Sequence, residues 1–171
     1  MRLYNDVMDK FPTVSGPRSV WTVGKMSIEP GAPAIVPGKA EMILQFRDAD
    51  TRILQAFEAR LMEIVADHQK KGPCTVECLN LSRTQPLVMD ERFLEAIEES
   101  ATAHAPDKHV RMPSGAGHDA QVIGLKIPAA MLFVPSIGGI SHHFTENTAD
   151  EDIVLGCQVF ADAAAKILKG N

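Results

Sequence analysis

The pattern of apolar and polar positions changes period several times along the chain. A short amphipathic start carries Val7, Met8 and Phe11 and is stopped by Pro12. From Val20 to Ile28 the residues are β-branched and aromatic, which predicts a strand, and PGAPAIVPG then breaks it with turn chemistry. Ala40 to Arg47 alternates: Met42, Leu44 and Phe46 face one way, and Glu41, Gln45 and Arg47 the other, as on a strand with one wet face. After Asp50, a helix N-cap, Leu54, Phe57, Leu61, Ile64 and Val65 recur at helical spacing until Lys70-Lys71-Gly72-Pro73 ends the helix. Cys74 to Ser82 reads as a third strand.

This order predicts a small antiparallel sheet with helices on one face, an α+β unit closing near Pro86. The second half has another rhythm. Asp90 caps a helix with Phe93, Leu94, Ile97 and Ala101 inward, and Ala116 to Leu125 predicts a second helix. Ala129 to Val134 is a solidly apolar strand, and His109 to Met112 a weak strand candidate. Thr148-Ala-Asp-Glu151 is a capping box before a last helix presenting Ile153, Cys157, Phe160, Ala164 and Ile167 to a core. A strand as apolar as AAMLFV is usually buried on both faces with neighbours on both sides. The half that contains it offers almost no partner, so it looks like the edge of a larger domain whose main sheet lies elsewhere.

Charge narrows the partners. A formal net charge of -5 with no basic run longer than Lys70-Lys71 gives no footprint for nucleic acid or an anionic membrane. The longest apolar run is far short of the roughly 20 residues that span a bilayer, and MRLYNDVMDK has no signal-peptide core, so the expectation is cytoplasmic. Cys74, Cys78 and Cys157 are odd in number and do not form a CxxC pair, which predicts reduced, structural thiols, buried as free cysteines usually are.

The candidate chemistry gathers between positions 114 and 146, where three of the six histidines stand beside two glycine-rich turns. His142 follows the turn after the apolar strand, where open α/β sheets place their sites. It reads as a loop histidine or as one metal ligand, with His143 beside it and Glu146 placed to orient a liganding imidazole. One histidine cannot hold a metal, and carboxylate ligands at credible positions are lacking. In Ser114-Gly-Ala-Gly-His-Asp119 the glycines precede a His-Asp pair at an expected helix N-terminus. That pair could serve an oxyanion or carboxylate, or only cap a turn. Ser114 is not in a G-x-S-x-G elbow, which argues against a serine nucleophile. Arg47 reads as a surface ion-pair partner or an anion clamp.

Three segments together resemble the hydantoinase/carbamoylase branch of the metal-dependent amidohydrolases: VGKMSIEPGAPAIVPGKAEMILQFRDAD, RMPSGAGHDAQ and AAMLFVPSIGGISHHFTENT. The likeness runs from about Tyr4 to Ile167. It implies a zinc-peptidase-like catalytic α/β domain interrupted by a lid and dimerisation domain with a four-stranded sheet and two helices. Residues 1–86 would be most of the lid, and 87–171 the closing segment of the catalytic domain. By position, the resemblance makes His142 a metal ligand with Glu146 as its neighbour, Gly117 and His118 the substrate-contacting pair, and Arg47 the holder of the substrate carboxylate, often across a homodimer. The general base and the remaining ligands for a divalent metal (Zn, Mn, Co or Ni) would lie upstream of Met1, so this chain alone is expected to be inactive and not to hold metal stably. Ala34 stands where many members have Asn, which removes a substrate-binding amide. The implied reaction is hydrolysis of the linear C–N bond of N-carbamoyl or ureido acids. A reading from another class is an inactive dimerisation or regulatory module, or a fragment.

Overall fold

The computed structural model describes residues 1–170. It divides into two compact units, Met1–Pro86 and Leu87–Asn171. The mixed α/β structure contains five α-helices and a two-stranded antiparallel sheet among the described residues.

In the first unit, helix α1 (Arg2–Lys10) runs into a 3-10 turn at Phe11–Thr13, where Pro12 occupies a first-turn position that needs no N–H donor. Strands β1 (Val20–Glu29) and β2 (Lys39–Arg47) form the sheet. Their register pairs Trp21 with Phe46, Val23 with Leu44 and Met26 with Met42. A shift between Val23 and Lys25 absorbs Gly24 as a bulge, which keeps Met26 on the same face as Trp21 and Val23. Helix α2 (Thr51–Lys71) starts at Asp50, whose carboxylate accepts from the Arg52 N–H at 2.8 Å, and ends at Gly72.

Both helices cover one face of the sheet, as its alternation requires. Val7, Phe11, Phe57 and Ile64 are at most 1% exposed, with Trp21, Leu44 and Phe46 packed against them. The Phe11 and Phe57 rings lie 4.8 Å apart, and Phe46 meets Phe57 at 5.4 Å. Such aromatic pairs add to what the area they bury contributes.

The third strand does not form. Residues 74–82 run without regular structure, joining the unit through Gln69 Nε2 to the Val76 carbonyl at 2.6 Å and through an Arg83–Glu58 ion pair. Leu79 and Leu81 are about three-quarters exposed. Alternation records which side chains prefer burial, but a strand exists only where its backbone finds a ladder. The sheet therefore has two strands here, not the four the resemblance implied.

In the second unit, α3 (Glu91–His104) is capped by Asp90, whose Oδ1 accepts from the Phe93 N–H at 3.2 Å. Helix α4 (Asp119–Ile123) has five residues, far shorter than the Ala116–Leu125 helix expected, because the Ser-Gly-Ala-Gly approach holds no helical turn before His118. Helix α5 (Asp150–Lys169) packs against α3. The expected capping box is absent: the N-cap is Ala149, with no side-chain bond, although Asp150, Glu151 and Asp152 still favour the dipole's positive end.

The face of α5 also differs from expectation. Val159 and Ala163 are buried, while Ile153, Cys157 and Phe160 are exposed, Phe160 by 65%. Small residues, Ala96, Ser100 and Ala101, are the buried positions of α3. They let the two helices approach closely, so the larger side chains fall to the flanks. Neither Ala129–Val134 nor His109–Met112 is a strand, since the described residues of this unit supply no ladder. Phe133 and Val134 stand 56% and 40% exposed, against the burial on both faces that the sequence led one to expect. Cys74, Cys78 and Cys157 are free thiols, but all three are exposed rather than buried.

Candidate functional site

Two loops of the second unit carry the candidate chemistry. The first is led in by Arg111, whose guanidinium bonds Glu91 at 2.7 Å and Glu98 at 2.8 Å, both on α3. The Glu91 hydrogen bond foremost pushes the Arg111 pKa up. From that anchor the chain turns through Ser114, Gly115, Ala116 and Gly117 to His118, the N-cap of α4.

The half-buried His118 ring is held on two sides. Its Nε2 lies 2.6 Å from Ser114 Oγ, and its face tilts against the Phe133 ring with centroids 5.4 Å apart. Gly117 has open space where a side chain would begin: a Cβ there meets nothing within 4 Å. The fold does not need a glycine at this position for room. The five residues of α4 give His118 little of the helix dipole expected from the sequence.

The second loop spans 137–147 and is closed at its base by the Ile137 N–H donating to the Asn147 carbonyl at 2.8 Å. Gly138 and Gly139 turn it with φ of 68° and 69°, the left-handed region that favours glycine. His142 occupies the same region with φ 56°, a conformation costing a non-glycine residue about 1–3 kcal/mol. Glu146 holds it there, its Oε2 accepting from the His142 main-chain N–H at 2.7 Å. The expected partnership of Glu146 and His142 thus exists through the backbone rather than the imidazole. His143 turns its Nδ1 to Thr145 Oγ1 at 2.8 Å and stacks against Phe144.

Arg47 belongs to the first unit, at the end of β2 on the outward face, opposite Val20 in the register. Among the described residues no group of three or more His, Cys, Asp or Glu gathers as a metal site. His142 and its neighbours therefore do not by themselves fit a bound divalent metal. The contact of Phe133 with His118 had no local signal in the sequence, whereas the i, i+4 spacing of Ser114 and His118 could have shown their pairing.

The second unit thus carries two glycine-turned histidine loops, one with His118 braced by Ser114 and Phe133, the other with His142 held by Glu146. The chain belongs to the peptidase family M20/M25/M40, whose pattern matches residues 10–166. It is 32% identical over 151 residues to an allantoate amidohydrolase of Bacillus subtilis, covering 85% of this chain and 35% of that protein. It is 28% identical over 149 residues to an N-carbamoyl-L-amino-acid amidohydrolase of Rhizobium meliloti, covering 86% and 35%. The crystal structure of an amidase of the hydantoinase/carbamoylase family from Burkholderia phymatum superposes with a TM-score of 0.87 at 39% identity, over 99% of this chain and 40% of that one. The resemblance read from the sequence is thereby established. The chain spans about a third of the length of the curated relatives it matches. No helix among the described residues is long and apolar enough to cross a membrane.

Proposed function

We propose that this chain is the lid and closing catalytic segment of a metal-dependent amidohydrolase that hydrolyses the linear C–N bond of N-carbamoyl amino acids or related ureido acids. The carrying observation is the braced His118 beside the open backbone of Gly117, in a chain similar over nearly its whole length to an amidase of that family. In this reading water adds to the carbamoyl carbon and the products are the amino acid, ammonia and carbon dioxide. His118 donates a hydrogen bond to the substrate's carbonyl oxygen as negative charge develops there, and Gly117 lets the main chain come close. Arg47 holds the substrate carboxylate, and residues 1–86 pair two copies. Val20 and Ile43, on the outward sheet face, are 49% and 44% exposed, which supports that pairing. His142 would give one ligand to a divalent metal whose other ligands come from outside the described residues.

Phe133, Val134, Ile153, Val154 and Phe160 are 40–65% exposed in the second unit. In the whole enzyme this apolar surface is covered by the part of the catalytic domain that the relatives have and this chain does not span. The test is a chimera in which this chain replaces its matching segment in the Burkholderia phymatum amidase. Ammonia release from an N-carbamoyl-L-amino acid or from allantoate is the expected result. A folded, metal-loaded chimera that dimerises but turns over neither compound sinks the proposal and favours the inactive dimerisation module.

A further inference from the structure

We propose that Ser114 is a positioning residue for His118: its hydroxyl donates to Nε2 and fixes the neutral imidazole in the tautomer that carries its proton on Nδ1. A serine hydroxyl has one proton and two lone pairs. One lone pair of Ser114 Oγ accepts from the Ala116 N–H at 3.2 Å. The contact to His118 Nε2 is 2.6 Å. The distance marks a close hydrogen bond, and the Ser114 hydroxyl proton has no other acceptor among the described residues. With one lone pair taken by the Ala116 N–H, the arrangement that also uses this proton is the one in which Oγ donates and Nε2 accepts.

Two neighbours hold the arrangement. The Phe133 ring lies against the imidazole at 5.4 Å, inclined by 55°, and resists its rotation. The Ala116 amide keeps the serine hydroxyl turned toward the ring. With Nε2 engaged, the nitrogen left for a ligand is Nδ1, and in this tautomer it donates. A group of that kind recognises a carbonyl oxygen or a carboxylate. The opposite tautomer would present a lone pair and behave as a base. This deepens the reading of His118 as an oxygen-contacting group and rests on it for its catalytic consequence, whereas the tautomer is a property of this chain alone.

The test is a long-range proton–nitrogen correlation spectrum of the 15N-labelled full chain, with His118 assigned through His118→Gln. It is recorded at about pH 8.5, where an ordinary imidazole is neutral. The expected spectrum shows an unprotonated Nε2 and a protonated Nδ1. Ser114→Ala should release the bias toward the mixture of a free imidazole, and Ser114→Thr should restore it. A protonated Nε2 in the unaltered chain, or a tautomer indifferent to Ser114→Ala, overturns the proposal.

In the chimera, Ser114→Ala should lower kcat roughly five- to tenfold, the worth of one hydrogen bond, with recovery by Ser114→Thr. A changed tautomer with unchanged kcat overturns the positioning role. A chimera inert before any Ser114 change would count against the proposed function, while the tautomer measurement would still decide the proposal on the intact chain.

Discussion

The two units bury different things. The first closes a core of large side chains on itself: Val7, Phe11, Phe57 and Ile64 are all but inaccessible, braced by five ring-to-ring contacts among Phe11, Phe57, Trp21 and Phe46. The second buries chiefly small residues, Ala96, Ser100, Ala101 and Ala163, and leaves Phe133, Phe144 and Phe160 more than half exposed. Burial of large apolar groups is the main favourable term in folding. The first unit thus holds its own stabilising core of large side chains, whereas the second buries little large apolar surface among its described residues. Fully buried Ser100 shows the same economy. Its hydroxyl closes no hydrogen bond of ordinary geometry, yet it lies near enough to Asp162 to be the foremost influence holding that carboxyl below its usual range.

The largest expected effect tests this contrast directly. Phe57→Ala should destabilise the first unit by about 3–5 kcal/mol, the usual cost of emptying a phenylalanine site in a packed core. Phe160→Ala, at an exposed position, should change stability by no more than about 0.5 kcal/mol. Trp21, the chain's one tryptophan, sits 5.6 Å from Phe57 and reports urea unfolding of the first unit by fluorescence. Helical circular dichroism reports both units, and the part of its transition that Trp21 fluorescence does not share follows the second. Equal losses from the two substitutions would mean that Phe160 is covered in solution, and the contrast would have to be abandoned.

A smaller effect separates structural from functional glycines. A Cβ at Gly156 would come 2.5 Å from Val134 Cγ1, a β-branched side chain with little freedom to yield. The clash costs about 1–3 kcal/mol, and the better helix propensity of alanine returns up to about 1 kcal/mol. Gly156→Ala should therefore be destabilising by about 1 kcal/mol in denaturant titration. Gly117→Ala meets nothing within 4 Å and should leave the same titration unchanged while reducing turnover of the chimera. A stability loss at Gly117 matching that at Gly156 would make its glycine structural and remove the argument for an open backbone.

The sequence made these differences only partly legible. Capping by Asp50 and Asp90, the alternation of Met42, Leu44 and Phe46, and the helix with Phe57 and Ile64 were all readable, because each is decided within a few residues. Residues 74–82 and 129–134 carried equally strong patterns and became no strand, because ladders depend on partners far away in the chain or outside it. The face of α5 was misjudged for a related reason. Its apolar residues encircle more than half of the helix, and the choice of Val159 and Ala163 over Ile153 and Phe160 was made by the small residues of α3. At the site, histidines and glycines announced themselves by type and spacing. Glu146 reaching the backbone of His142, and Phe133 bracing His118, are tertiary facts with no local trace.

The smallest effect concerns acid, where the two units resemble each other and should still respond separately. Asp6 on α1 meets His68 on α2 at 2.9 Å, with Lys10 also near at 3.6 Å. The His68 hydrogen bond foremost holds the Asp6 carboxyl below its ordinary value of 3.8. Asp162 on α5 is lowered likewise, by Ser100 first and then by Lys166 and His104. A carboxyl lowered on folding contributes stability that is complete above its unfolded pKa and is lost as pH falls through the folded value. Urea midpoints read at Trp21 should therefore decline below about pH 4. Asp6→Asn should lower the midpoint near neutrality and flatten that decline. Asp162→Asn should leave the Trp21 transition alone and act only on the helical signal of the second unit. If Asp162→Asn moves the Trp21 midpoint as far as Asp6→Asn does, the units unfold as one, and the large-residue core of the first cannot be sustaining it independently of the second.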